Sequence, residues 1–142
     1  MKRSGAVLFF VLAATAAAQQ PKFEATTDMN AVLSLMTGQV DLYGDKFGTV
    51  DFQRAILTLA QSKAITVRVL TNPASAPNMR PLKNVGAKVF TLPSRFTGGM
   101  VIVRGKAVII PTGNGFKVLK TANEVGQIQG LMEQYWTGAK LY

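Results

Sequence analysis

Residues 96–116, FTGGMVIVRGKAVIIPTGNGF, contain two short apolar runs set around Arg104, Gly105 and Lys106, followed by a glycine-rich exit. Val101, Ile102 and Val103 face Val108, Ile109 and Ile110 across that turn. Such runs predict a strand, a tight turn and a second strand. What precedes the hairpin decides what it can belong to. Thr27 or Asp28 is placed to cap a helix carrying Val32, Leu35 and Met36, with Gly38 as its stop. Residues 40–43 predict a strand ended by Gly44. Thr49 opens a second helix, with Asp51 in its positive first turn and Phe52, Ile56, Leu59 and Ala60 on one stripe.

Ile65, Val67 and Val69 alternate with Thr66 and Arg68, the pattern of a strand. Residues 72–81 contain three prolines and predict irregular chain, followed by one helical turn at 82–86. Residues 88–92 and 116–119 predict further strands. Thr121 and Glu124 have the spacing of a capping box. The helix they would open carries Val125, Ile128, Met132 and Tyr135 on one face, with Trp136 beside them and Gly138 as a stop. Residues 19–24 read as a polar entry with no element. Strands alternating with helices predict one α/β sandwich.

The chain has no cysteine, which excludes disulfides, thiolate nucleophiles and cysteine-based zinc sites. Such a fold must be held by core burial alone. Lys2 and Arg3, the apolar run at 6–12 and the small residues Ala16, Ala17 and Ala18 have the layout of a secretory signal peptide. The expected organisation is therefore a signal at 1–18 and a domain at 19–142. It implies a secreted or periplasmic product with no transmembrane segment after cleavage.

The net charge of +9 falls to +7 once Lys2 and Arg3 are removed. Glu24, Asp28, Asp41, Asp45 and Asp51 all precede residue 52. From 52 to 123 there are eleven Lys or Arg and no acid. A basic run of that length favours polyanions: nucleic acid, phosphates or anionic lipid surfaces.

Several chemistries are excluded by residue type. The chain contains no histidine, so a serine triad lacks its base. Gly99, Gly105 and Lys106 miss the phosphate-loop spacing, and Ala107 stands where Ser or Thr is required. Asp41, Asp45 and Asp51 match no calcium loop and read as two turn residues and a helix-start carboxylate. No metal or cofactor is expected.

The order of QVDLYG, FQRAILTLAQSKAITVRVLTN, LKNVGAKVFTLP, MVIVRGKAVIIPTGNGF and LMEQYW resembles the phospholipase D-like superfamily over nearly the whole of 19–142. The plan is closest to its small secreted bacterial endonucleases, which carry one His-x-Lys-x4-Asp motif per chain and complete the site across a dimer. The resemblance implies a mixed sheet flanked by helices. Aligning the Arg104-Gly105-Lys106 turn with the family's Asp-Gly-Lys puts Thr97 at the histidine, Gly99 at the lysine and Arg104 at the aspartate. Thr112 and Asn114 stand at the family's serine and asparagine, with Pro111 at the preceding glycine. The family mechanism needs an imidazole nucleophile and lysines for the developing charge, which threonine and glycine cannot supply.

The resemblance thus implies an emptied site with no catalytic residue. Arg95, Arg104 and Lys106 are expected to flank the old cleft, with Lys117 and Lys120 beyond it and Thr112 and Asn114 as neutral donors to a phosphate oxygen. The expected partner is nucleic acid or another polyanion. The alternatives are an interaction module that homodimerises or pairs with an active relative, and a phosphodiesterase of non-standard mechanism.

Overall fold

The computed structural model describes residues 21–93 and 97–142. The expected signal peptide at 1–18 and Arg95 lie outside the described residues. Among the described residues eight strands form one mixed sheet: β1 (Glu24–Thr26), β2 (Gly38–Gly44), β3 (Ile65–Thr71), β4 (Lys88–Thr91), β5 (Gly99–Val103), β6 (Ala107–Pro111), β7 (Phe116–Leu119) and β8 (Lys140–Leu141). Their order in space is β1-β7-β6-β5-β2-β3-β4-β8. β2, β3 and β4 run parallel, whereas β5 lies antiparallel to β2 and begins an antiparallel meander through β6 and β7. The expected α/β sandwich, a mixed sheet flanked by helices, is the fold observed.

Among the described residues four α-helices cover the sheet: α1 (Met29–Leu33), α2 (Val50–Gln61), α3 (Arg80–Asn84) and α4 (Ala122–Glu133). Alternation along the central strands divides the core in two. Val40, Leu42, Val101 and Val103 face a cluster that includes Phe52, Ile56 and Ala60 of α2. Tyr43, Met100 and Ile102 face the other cluster, which includes Val125, Ile128 and Met132 of α4. Each buried Val or Ile of β5 contributes about 1.5–3 kcal/mol relative to exposure. These central strands therefore form a rigid base for both ends of the sheet.

Helix starts follow local chemistry in two of the three expected places. The Asp28 carboxylate accepts from Ala31 N at 3.1 Å, and the Thr49 hydroxyl accepts from Phe52 N at 3.2 Å. Thr121 precedes α4 in extended conformation, but its hydroxyl makes no capping bond, so the expected capping box does not form. α1 is also shorter than expected and leaves Leu35 and Met36 in the following turn.

The segment expected to be irregular at 72–81 is partly helical. Residues Ala76–Met79 form a 3-10 turn that runs into α3. Both elements carry proline in their first turn, where the missing N–H would have no intrahelical partner. The polar entry at 19–24 also needs correction, because Glu24–Thr26 pairs with β7 as an edge strand. β8 closes the opposite edge against β4. Strands of two or three residues carry too few side chains to show a period.

Candidate functional site

The two ends of the β5–β6 hairpin lie at opposite ends of the sheet. β2, β3 and β4 finish at what we term the carboxyl end, where β5 starts at Gly99 and β6 finishes at Pro111. Arg104 and Lys106 lie in the turn at the amino end, about 16 Å from Gly99 for five residues at 3.3 Å each. The expectation that Arg104 and Lys106 flank one cleft with Thr112 and Asn114 is therefore corrected. Lys120, following β7, also lies at the amino end. Thr112, Asn114 and Lys117 do come together.

Arg104 is further removed from ligand binding by its partners. Asp41 is fully buried in the middle of β2, within the strand expected at 40–43, so its reading as a turn residue is corrected. Its carboxylate accepts from Arg68 Nε at 2.7 Å, Arg68 NH2 at 3.1 Å and Arg104 NH1 at 3.0 Å. Glu133 at the end of α4 accepts from both guanidinium groups at 3.1 Å. Two acids and two cations thus form a neutral, doubly bridged group.

Burial opposes the charge on Arg68, yet its hydrogen bonds to Asp41 and Glu133 raise its pKa above the ordinary arginine value. Arg104 behaves alike, with burial again outweighed by Glu133 and Asp41. For Glu133 burial acts upward, but the bonds from Arg104 and Arg68 bring its pKa below the ordinary carboxylate value. The Arg68 guanidinium also lies 3.9 Å over the Trp136 ring. Trp136 Nε1 in turn donates to the Tyr43 hydroxyl at 2.7 Å. Burial pushes the Tyr43 pKa far above the ordinary tyrosine value, so this phenol stays protonated. Charged residues in the middle of two apolar strands, Asp41 in QVDLYG and Arg68 in ITVRVL, were the sequence signal for this group.

At the carboxyl end the backbone itself fills the space beside β5. A Cβ on Gly99 would lie 2.0 Å from the Lys46 carbonyl oxygen and 2.9 Å from the Phe47 ring. Gly44 has φ +125°, and a Cβ there would lie 2.0 Å from the Gly98 carbonyl oxygen. Asp45 N donates to that same oxygen at 3.0 Å, while the Asp45 carboxylate accepts from Gly98 N at 3.1 Å. The loop after β2 is thus locked onto the start of β5. No side chain fits at residue 99 without displacing it.

One strand pair away, a cavity of about 590 Å³ opens at the junction of β1, β6 and β7. Thr112 and Asn114 line it from the β6–β7 turn, Lys117 from β7, and Thr26 and Thr27 from the end of β1. The turn is closed by Thr112 N donating to the Gly115 carbonyl at 2.8 Å. The lining offers hydroxyl and amide groups and one ammonium, and it contains no carboxylate. Thr26 and Thr27 were not expected here, because a three-residue edge strand left no sequence pattern. Thr97 lies outside a regular element, just before Gly98 and β5. Among the described residues no three acidic side chains converge as metal ligands.

No protein-family model matches the chain, and no curated protein matches it in sequence. Solved structures share its fold. TrmBL2, an archaeal chromatin protein with a novel mode of DNA binding, matches 96% of this chain with a TM-score of 0.62 and 14% identity. This chain spans 60% of the TrmBL2 chain. NucT from Helicobacter pylori matches 85% of this chain and 100% of its own, with a TM-score of 0.58 and 16% identity. Phosphatidylserine synthase from Haemophilus influenzae Rd KW20 has a TM-score of 0.57 and 12% identity, over 86% of this chain and 39% of that one.

Proposed function

We propose that this chain is an exported, catalytically inactive phospholipase D-like domain that binds the phosphate backbone of nucleic acid at the carboxyl end of its sheet. On this reading Thr97 and Gly99 stand where the family has histidine and lysine. The observation that carries it is the pairing of two features at that end. The lysine position has no room for a side chain, while the neighbouring cavity keeps Thr112, Asn114 and Lys117 with no opposing carboxylate. Hydroxyls, an amide and an ammonium are donors suited to phosphate oxygens, and they carry no base information. The fold shared with TrmBL2, a DNA-binding protein, supports nucleic acid over other polyanions. The layout of residues 1–18 supports export.

Electrophoretic titration of the purified protein against DNA, RNA and anionic vesicles tests the binding, with plasmid and chromogenic phosphodiester cleavage run beside it. Nucleic acid is expected to bind without sequence preference and without cleavage. Affinity should fall with a slope of about −0.9 in log K against log salt per duplex phosphate contacted. Salt-independent affinity, preference for vesicles, or chelator-resistant cleavage overturns the proposal. Cell fractionation and the mass of the mature amino terminus test export.

A further inference from the structure

A second cavity, about 370 Å³, lies between the amino-terminal half of α2 and the 3-10 turn leading into α3. It is separate from the Thr112–Lys117 cavity and shares none of its lining residues. Its volume is within the roughly 300–1,000 Å³ typical of small-ligand sites. Leu42 and Ile56 form a fully buried floor, with Leu57, Met79 and Leu82 along the walls. Val50 stands at the mouth with 63% of its surface exposed.

The polar groups of this groove are sorted by their existing bonds. Gln53 is occupied, its Nε2 donating to the Gly48 carbonyl at 2.9 Å. Asp45 accepts from Gly98 N through one carboxylate oxygen and keeps its negative charge, and the exposed Asn78 amide also lines the groove. Lys46 and Arg54 are exposed at the rim, and neither forms an ion pair among the described residues. The remaining chemistry is an apolar trough with two exposed cations against the one Asp45 carboxylate, so the lining keeps a net positive charge.

We propose that this groove binds an anionic amphiphile, a single acyl chain with a carboxylate headgroup. The chain lies over Leu42, Ile56 and Leu57, and the carboxylate meets the Arg54 guanidinium, whose planar fork suits it, with Lys46 adding charge. A neutral apolar ligand would leave the two cations unused. A polyanion would leave the trough unused and Val50 in water.

Calorimetric titration of the full chain with decanoate, undecanoate and dodecanoate below their micelle concentrations tests this. One saturable site is expected, tightening about fourfold per added methylene. Arg54→Gln, an exposed change that leaves the core untouched, should weaken dodecanoate about tenfold and leave dodecanol unaffected. Leu57→Asp should abolish binding, with circular dichroism reporting that the fold is retained. Dodecyltrimethylammonium should not bind. Equal binding of that cation, absence of chain-length dependence, or indifference to Arg54→Gln overturns the proposal. Displacement of dodecanoate by a short DNA duplex does so too, because the groove would then belong to a polyanion surface. Loss of DNA binding elsewhere on the molecule leaves this result unaffected, so the two proposals fail separately.

Discussion

The two ends of β5 differ in how their charges and backbone are satisfied. Towards the amino end, Arg104 joins Arg68, Asp41 and Glu133 in a group whose charges cancel. At the carboxyl end, glycine lets two backbone segments interlock, and Lys117 beside them faces hydroxyls and an amide with no carboxylate. Cations with buried carboxylate partners hold strands and a helix together. Cations without them are available to an outside anion. Counting positive charge along the chain merges the two kinds, and only their partners separate them.

The sharpest way to break the comparison is Asp41→Ala. It leaves two partly buried guanidinium groups facing each other with Glu133 as the remaining carboxylate, and should cost about 3–5 kcal/mol of stability in urea titration. A loss below about 1 kcal/mol would mean that the buried group is not what fixes α4 to the sheet.

Next in size is Gly99→Ala, which puts a methyl against the Lys46 carbonyl and should cost about 1–3 kcal/mol. Gly113→Ala, where a Cβ meets nothing within 4 Å, should stay within about 0.5 kcal/mol. Equal midpoints for the two would show that the interlock is loose. For the same reason Thr97→His combined with Gly99→Lys should yield no phosphodiesterase activity, since the lysine cannot be seated.

Lys117→Glu tests the open end. It should weaken DNA binding alike for all sequences and reduce the magnitude of the log K against log salt slope by about 1, with little change in stability. Arg104→Glu would be a poor probe of binding, because the change acts first on Asp41 and Glu133.

The smallest effect concerns acid. The pKa of Glu133 is lowered in the folded protein, so its contribution is present above the unfolded carboxylate value near about 4.3 and is lost as pH falls through the folded value. Glu133→Gln should therefore flatten stability against pH on that acid side. Glu133 retains 46% of its side-chain exposure, so solvent screening limits the neutral-pH loss to about 1 kcal/mol or less. An unchanged acid limb would assign the acid sensitivity of this region to other carboxylates.

Sequence alone determined the elements whose signals are local. The alternation in β3, the stripe of α2, the Thr49 cap and the β5–β6 turn are each decided by neighbours within a few residues, and each is found where expected. The alternation of strands and helices extended this to the α/β sandwich, because the order of elements limits how they can stack. It did not reveal β1 or β8, whose pairing is supplied by β7 and β4 and not by their own side chains. It could not show that Thr121 fails as a cap, nor that prolines 77 and 81 sit harmlessly in first turns. The charge group joins residues 27, 63 and 65 positions apart, and the Lys46 carbonyl meets Gly99 across two strands. Those contacts are made by the register of β2 against β3 and β5, which is a property of the folded sheet. Residue type limited the chemistry, since a chain without histidine has no imidazole anywhere. Tertiary structure decided which cations already have partners and which positions have space, because both depend on what lies within a few ångströms and not on what lies nearby in the chain.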